Sequence, residues 1–311
     1  MRNSAVFVKL ETTEGTDAVP TATDAMLVSN LTIAPLDGSE VSLDYIRGYF
    51  GNSPSIRVED YFTITFDVDL AGSGTPGTVP KWGKALRACA FAETVSAGTS
   101  VTYNPISKDM ESATLYYYVD TVLHKGLGAR GNVSFEMNAN ARPLAKFNMI
   151  AKIGGIVDAG SPLVPNFTGF QIPAPVTTGN TSGTIAGKTL GCANDKLEIN
   201  GFTLDMGNQV KHRQLVGCSS VIVSDRQPQG TTSIQMTPLA VVDWFDYIRS
   251  STKDEFEIVH GVNAGNIVTF NMPAAQLANP KYSVMDGIAM LDCDIRVLPV
   301  TGNDEVTITF T

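Results

Sequence analysis

The sequence predicts a mainly β protein built from two related halves, each with a short helix. Three observations carry this. Tyr61–Leu70 alternates without a break: Phe62, Ile64, Phe66, Val68 and Leu70 on one face, Tyr61, Thr63, Thr65, Asp67 and Asp69 on the other. Charged residues make up only 17% of the 311, so much of the polar surface comes from Thr, Ser, Asn and Gln, which suits strands and oligomeric contacts. A set of segments recurs in the same order about 170 residues apart.

In chain order, residues 1–25 read as an arm. Ala5-Val6-Phe7-Val8 can form a short strand, and ETTEGTDAVPTATDA after it is polar, broken by Gly15 and Pro20, and without period. Leu36–Pro54 reads as a long loop in which Tyr45, Ile46, Tyr49 and Phe50 stand among Asp44, Arg47 and Gly48. Apolar groups in a loop need a surface to cover them, whether their own domain or a partner. After the strand at 61–70, Pro80–Glu93 brings Trp82, Ala85, Leu86, Cys89 and Ala90 to helical spacing behind a proline. Asn132–Asn138 alternates again, with Val133, Phe135 and Met137 opposite Asn132, Ser134, Glu136 and Asn138. Residues 156–192, rich in Pro, Gly, Ser and Thr, read as a linker or extended surface loop. Leu239–Ser250 reads as a second short helix with Trp244, and Val306, Ile308 and Phe310 alternate at the end.

The recurring segments pair Val28-Ser29-Asn30 with Glu198-Ile199-Asn200, and Phe62–Phe66 with Thr232–Met236. A helix with a tryptophan follows in both halves, and Val101–Pro105 is then paired with Val268–Pro273. The organisation expected is an arm (1–25), a first β domain (26–155), a linker (156–192) and a second β domain (193–311). A duplicated domain fills two positions of a ring, so three chains could build one of pseudo-sixfold form.

The net charge is −9, with thirteen basic and sixteen acidic side chains in residues 1–155 and nine and fifteen in 156–311. No Lys/Arg cluster of the kind that grips nucleic acid occurs. Cys89, Cys192, Cys218 and Cys293 are far apart and are expected to be reduced, buried thiols. The start, MRNSAVFVKLETTEG, lacks the apolar core of a signal peptide, and no stretch is apolar over the length of a membrane span, so synthesis in the cytoplasm is expected.

Chemical motifs are weak. Gly183-Thr184-Ile185-Ala186-Gly187-Lys188-Thr189 has three residues between its glycines where a phosphate-binding loop needs four, and reads as a flexible loop. His124, His212 and His260 stand alone, without metal-ligand spacing. Asp292-Cys293-Asp294 places two carboxylates on one strand face without the rest of a calcium loop. Ser219 and Ser220 lack a nucleophile-elbow context. Trp82 and Trp244 read as core anchors. No catalytic residue, metal site or cofactor is assigned.

Several runs resemble the tail tube proteins of long-tailed phages. They are Glu11-Thr12-Thr13-Glu14-Gly15-Thr16-Asp17 through Pro20 with Ala25-Met26-Leu27-Val28, and Ser53-Pro54-Ser55-Ile56 leading into Phe66-Asp67-Val68-Asp69-Leu70-Ala71-Gly72-Ser73-Gly74. The clearest is Leu86-Arg87-Ala88-Cys89-Ala90-Phe91-Ala92-Glu93-Thr94-Val95, followed by Thr99–Pro105. The likeness covers about residues 8–155, and the second half joins it through the repeat.

The resemblance implies tandem tail-tube-type β-sandwich or barrel domains, each with a short flanking α-helix. Inner strands would join across subunits into a barrel around a lumen, in trimeric rings that stack. The arm, with Glu11, Glu14 and Asp17, and the loop, with Asp44, Tyr45, Ile46, Arg47, Tyr49 and Phe50, would reach the next ring. It also implies a virion tail location, DNA passing through without tight binding, and as partners the tape measure protein and the tail terminator and distal tail proteins. A wall that lets DNA slide should be acidic or neutral, so Asp67, Asp69, Glu136, Asp292 and Asp294 are the expected lumen-facing residues. A surface adhesin or fibre-type β-sandwich is the alternative.

Overall fold

The computed structural model describes residues 4–192 and 196–311. The first half contains β1 (Ser4–Leu10), β2 (Ala25–Met26), β3 (Ser29–Asp37), β4 (Glu40–Ser42), β5 (Ser55–Arg57) and β6 (Tyr61–Asp69). It continues with α1 (Gly83–Ala88), β7 (Phe91–Ser96), β8 (Ser100–Pro105), β9 (Ala113–Val119), β10 (Val122–Asn138) and β11 (Leu144–Asp158). The second half contains β12 (Thr181–Ile185), β13 (Lys188–Thr189), β14 (Ile199–Asp205), β15 (Asn208–Leu215), β16 (Cys218–Arg226) and β17 (Gln229–Gln235). After these come α2 (Trp244–Arg249), β18 (Asp254–His260), β19 (Val268–Met285), β20 (Ile288–Val297) and β21 (Thr307–Phe310).

The topology repeats. The first half pairs its strands in the order β2-β1-β9-β10-β11-β6-β3, and the second in the order β13-β12-β18-β19-β20-β17-β14. Each half inserts a separate two-stranded hairpin at the same place, β4–β5 between β3 and β6 and β15–β16 between β14 and β17. Each places its helix after the strand that follows the hairpin. The pairing of Val101–Pro105 with Val268–Pro273 is corrected by these ladders: β8 lies against β7 and β21, whereas β19 holds the position of β10.

The halves share one sheet and one core. β10 pairs β14 over Ser134–Asn138, and β21 crosses back to pair β8. The strands wrap in barrel fashion around a common apolar cluster. Phe135 of the first half meets Phe270 of the second with ring centroids 4.9 Å apart, and Phe310 packs edge-on against Trp82 at 5.5 Å. The glycine loops also touch: Gly74 N–H donates to the Gly265 carbonyl at 2.9 Å, and a Cβ on Gly72 would lie 2.1 Å from that same oxygen. The boundary expected at 155/193 is therefore a seam within one folded body.

Residues 4–25 do not project as an arm but pack on the body. β1 pairs β9 along its whole length, and Val6, Phe7 and Val8 are buried. Glu11 accepts hydrogen bonds from Ser112 (2.7 Å), Thr114 (2.9 Å) and the Gly128 N–H (2.8 Å). Glu14 pairs with Arg130 at 2.9 Å. Asp17 accepts from Tyr116 (2.7 Å) and Lys125 (3.1 Å); burial pushes its pKa up, but these bonds and that of the Val19 N–H hold it below the usual value. The partners lie about a hundred residues along the chain, which is why the segment reads as unattached in sequence.

The two ends of the supposed linker are part of the sheet, and residues 159–180 between them hold no strand. β11 runs to Asp158, and β12–β13 is a hairpin whose turn residues Ala186 (φ 52°) and Gly187 (φ 71°) both adopt the positive φ that a type I′ turn requires. The near phosphate-loop motif is this hairpin. α1 is shorter than Pro80–Glu93 because Ala90 (φ 64°) turns the chain into β7. Trp82 is buried and donates its indole N–H to Ala71 O at 2.9 Å, and Trp244 is buried at the start of α2. Cys89 and Cys293 are buried, and burial pushes the Cys293 thiol to about 12; Cys192 and Cys218 are exposed, contrary to expectation.

His260 is buried, donates Nε2–H to Ala174 O (3.0 Å) and accepts from the Thr181 hydroxyl at Nδ1 (2.9 Å), which fixes a neutral tautomer. Desolvation holds its pKa below 6.5, with the Ala174 carbonyl opposing; burial lowers His124 likewise. Above about pH 6.5 both states are neutral. Below it only the unfolded chain takes up the proton, so stability falls with pH by at most about 1.4 kcal/mol per unit per histidine. Melting curves between pH 7.5 and 5.5 should shift downward, and His260→Gln should flatten that slope.

Candidate functional site: the polar sheet face and its open edges

One continuous run of eight strands, β3-β6-β11-β10-β14-β17-β20-β19, crosses both halves. Residues directly opposite each other on an antiparallel ladder point to the same side. The registers therefore draw rows across this run. One is Asp69, Leu144, Glu136, Thr203, Thr231, Asp294 and Ala278; the next is Asp67, Lys146, Ser134, Asp205, Gln229, Arg296 and Gln276. Asp292 continues the pattern beside Ser233 and Lys281. The five acidic candidates thus share the face turned away from the core, although they come from strands more than 200 residues apart.

Each of these carboxylates has a partner. Asp67 accepts from Asn30 at 2.7 Å, Asp69 pairs with Arg142 at 2.9 Å, Glu136 with Lys146, Asp292 accepts from Ser233, and Asp294 from Asn279 at 2.7 Å. The two rows hold five carboxylates and two cations, so the face is polar and weakly acidic. Among the described residues no group of three or more His, Cys, Asp or Glu is placed to hold a metal ion. His212 bonds Glu59 (2.7 Å) and Ser219 (2.8 Å), which also accounts for that serine.

The run has two unpaired sides. Among the described residues β3 is paired only to β6, and the Lys281–Met285 stretch of β19 only to β20. Their counterparts in the repeat are the two strands of the junction inside the chain. Matching the register shift of β10 against β9 to that of β19 against β18 sets Arg130 opposite Ile150 on Gln276 opposite Arg296 and Gly131 opposite Met149 on Leu277 opposite Ile295, which moves the repeat of Phe62–Phe66 from Thr232–Met236 to Pro228–Thr232. Beyond the bulge at Asn279 (φ 50°), Lys281–Met285 stands where Ser134–Asn138 stands. Leu31 and Ile33, half-buried against the core, hold the places of Phe202 and Leu204.

The contrast in burial is large. Phe135 and Met137 are 1% and 2% exposed beneath β14; Tyr282 and Val284, at the same positions of the second half, are 69% and 75% exposed. The β4–β5 hairpin is exposed as well: Tyr45, Ile46, Tyr49 and Phe50 lie at its open tip, and beside them Asp44 accepts from Ser42 and Arg47 donates to Asn52 O, both within the hairpin. Sequence reasoning found the acidic face through alternation. It missed Tyr282 and Val284, because Pro273 and Pro280 interrupt β19.

No curated protein matches the chain. A family model described as phage tail tube protein matches residues 1–311, the whole sequence. With a mainly β architecture, a repeated sheet and exposed apolar positions at its open ends, the chain belongs to the phage tail tube protein family, a structural component of the virion tail.

Proposed function

We propose that the chain assembles with copies of itself into rings, and the rings into a tube that conducts the phage genome. The observation that carries this is that the chain contains one complete junction between repeats, β10 against β14, and at its two ends the unpaired halves of a second. Copying the inner junction across chains sets β3 against β19 with Ile33 opposite Tyr282, Thr32 opposite Ser283 and Leu31 opposite Val284. Unpaired backbone edges and exposed apolar side chains are removed together when such a run closes.

The acidic rows then turn to the lumen. The core lies on the other side of the sheet, and a wall short of free cations does not retain DNA. Three copies would contribute about 24 strands, more than the 16–18 of porins that already leave an aqueous channel. The tape measure, terminator and distal tail proteins are the further partners this reading expects.

A disulfide across the seam tests it. Thr32→Cys and Ser283→Cys are introduced together, with Cys192→Ser and Cys218→Ser removing the exposed thiols. Oxidation of the assembled protein should produce a ladder of covalent multimers ending at a closed species, and electron microscopy should show stacked rings. A chain that remains monomeric on a non-reducing gel while forming tubes would place the seam elsewhere.

A further inference from the structure

We infer that the second half carries an open docking pocket for an extended, aromatic peptide segment of a partner protein, at the place where the first half holds such a segment of its own. The inference goes beyond the ring reading and does not depend on it; its basis is the repeat. Thr63 lies opposite Ile150 and Gln229 opposite Arg296, so Asp69 corresponds to Gln235, and Ala71 and Gly72 to Thr237 and Pro238. Leu27 corresponds to Glu198, four residues before Leu31 and Phe202 respectively. In the first half, Leu27, Asp69, Ala71 and Gly72 enclose Gly169, Phe170 and Gln171 of the segment between β11 and β12, and a space of only about 10 Å³ is left. Phe170 packs on the core there, and the Gln171 side-chain amide donates to Ser73 O at 3.3 Å. In the second half, Glu198, Gln235, Thr237 and Pro238 line an open cavity of about 410 Å³.

The second half is incomplete at this place. Trp82 donates its indole N–H to Ala71 O, whereas among the described residues the Trp244 indole N–H is buried without a partner, as is the Thr237 hydroxyl on the cavity wall. Buried groups of this kind are ordinarily paired, and the backbone of an extended peptide supplies both donors and acceptors to pair them. A cavity of a few hundred Å³ with a mixed lining also suits an aromatic side chain. Gln235 borders it from the polar face and Met236 from the core side, so it sits at the rim where β17 ends and not on the acidic rows. The chain's own segment of this chemistry is already in use. The Asn166 N–H bonds Ala22 O at 2.9 Å and the Val176 N–H bonds Ala141 O at 2.8 Å, which fixes it on the first half. The occupant is therefore supplied by a different protein, as an extended segment with an aromatic residue between small and amide-bearing ones.

The test uses the unassembled full-length chain carrying Cys218→Ser, which leaves Cys192, on the cavity wall, as its exposed thiol; Cys89 and Cys293 are buried. The probe is the peptide Phe-Thr-Gly-Phe-Gln-Ile-Pro, the sequence of residues 167–173. At ten times its Kd the peptide leaves about one site in ten free, so alkylation of Cys192 by N-ethylmaleimide, followed by mass spectrometry, should slow about tenfold. The peptide with Phe170→Ala should give no slowing. Neither should the parental peptide on a chain carrying Val241→Trp, which fills the cavity; Val241 is half-buried, so this variant should melt with the parent. If it melts early, the Phe170→Ala peptide alone decides. No slowing by the parental peptide, equal slowing by both peptides, or slowing that survives Val241→Trp in a folded chain would overturn the pocket. Slowing produced without peptide, by raising the concentration of the chain itself, would assign the pocket to another copy and overturn the partner protein as occupant. None of these readouts requires rings or tubes, so a failure here is distinct from a failure of the seam.

Discussion

Val284→Asp should leave the single chain folded and abolish tube formation. The side chain is 75% exposed and makes no contribution to the core, so the melting temperature of the unassembled variant should match the parent's. At the proposed seam the same side chain lies opposite Leu31, in the position Met137 holds beneath Phe202 inside the chain. A carboxylate enclosed there without a partner costs about 3–5 kcal/mol, several hundredfold or more in the affinity of each contact. Because every chain in a ring uses this contact, the losses compound around it. Sedimentation and electron microscopy of the variant check the result, and tubes at the parental yield would remove β19 from the interface. Val284→Ile, which keeps the apolar character, should assemble.

The reading from sequence reached the architecture where period and burial coincide. Phe62, Ile64, Phe66 and Val68 alternate into a core only on that side, so β6 was legible to within a residue of its end. β10 was legible only from Asn132 onward. Its earlier half contains Gly126 and Gly131, where packing leaves no room for a side chain (a Cβ on Gly126 would lie 2.1 Å from the Phe62 ring), and Gly128, whose φ is 64°. The repeat was detectable, but its fourth pair of segments fell on strands of different topology, because likeness of short apolar runs does not encode which ladder they join. Glu11 and Asp17 illustrate the remaining limit. A polar segment looks unattached until the fold brings Ser112, Thr114, Tyr116 and Lys125 to its carboxylates. The acidic face lay between these cases: alternation put Asp67 and Asp69 on one side of β6, and only the registers joined them to Glu136, Asp292 and Asp294.

Phe135→Ala and Tyr282→Ala should have opposite consequences although the repeat gives them one position. Phe135 is 1% exposed, stands opposite Leu204 and packs on Phe270, so its loss should remove about 3–5 kcal/mol from the unassembled chain. A loss of that size is a large part of the stability of an ordinary domain and should be plain in urea denaturation. Tyr282 is 69% exposed, its nearest ring neighbour being Phe245 at 6.0 Å, and its loss should remove under about 1 kcal/mol from the same dilute chain. Once tubes have formed the two should converge, because Tyr282 then acquires Ile33 as Phe135 already has Leu204. The informative quantity is the gap between free and assembled stability: near zero for Phe135→Ala, large for Tyr282→Ala. A Tyr282→Ala tube that resists heat and denaturant as the parental tube does would show that the second half does not repeat, between chains, the contact the first half makes within one.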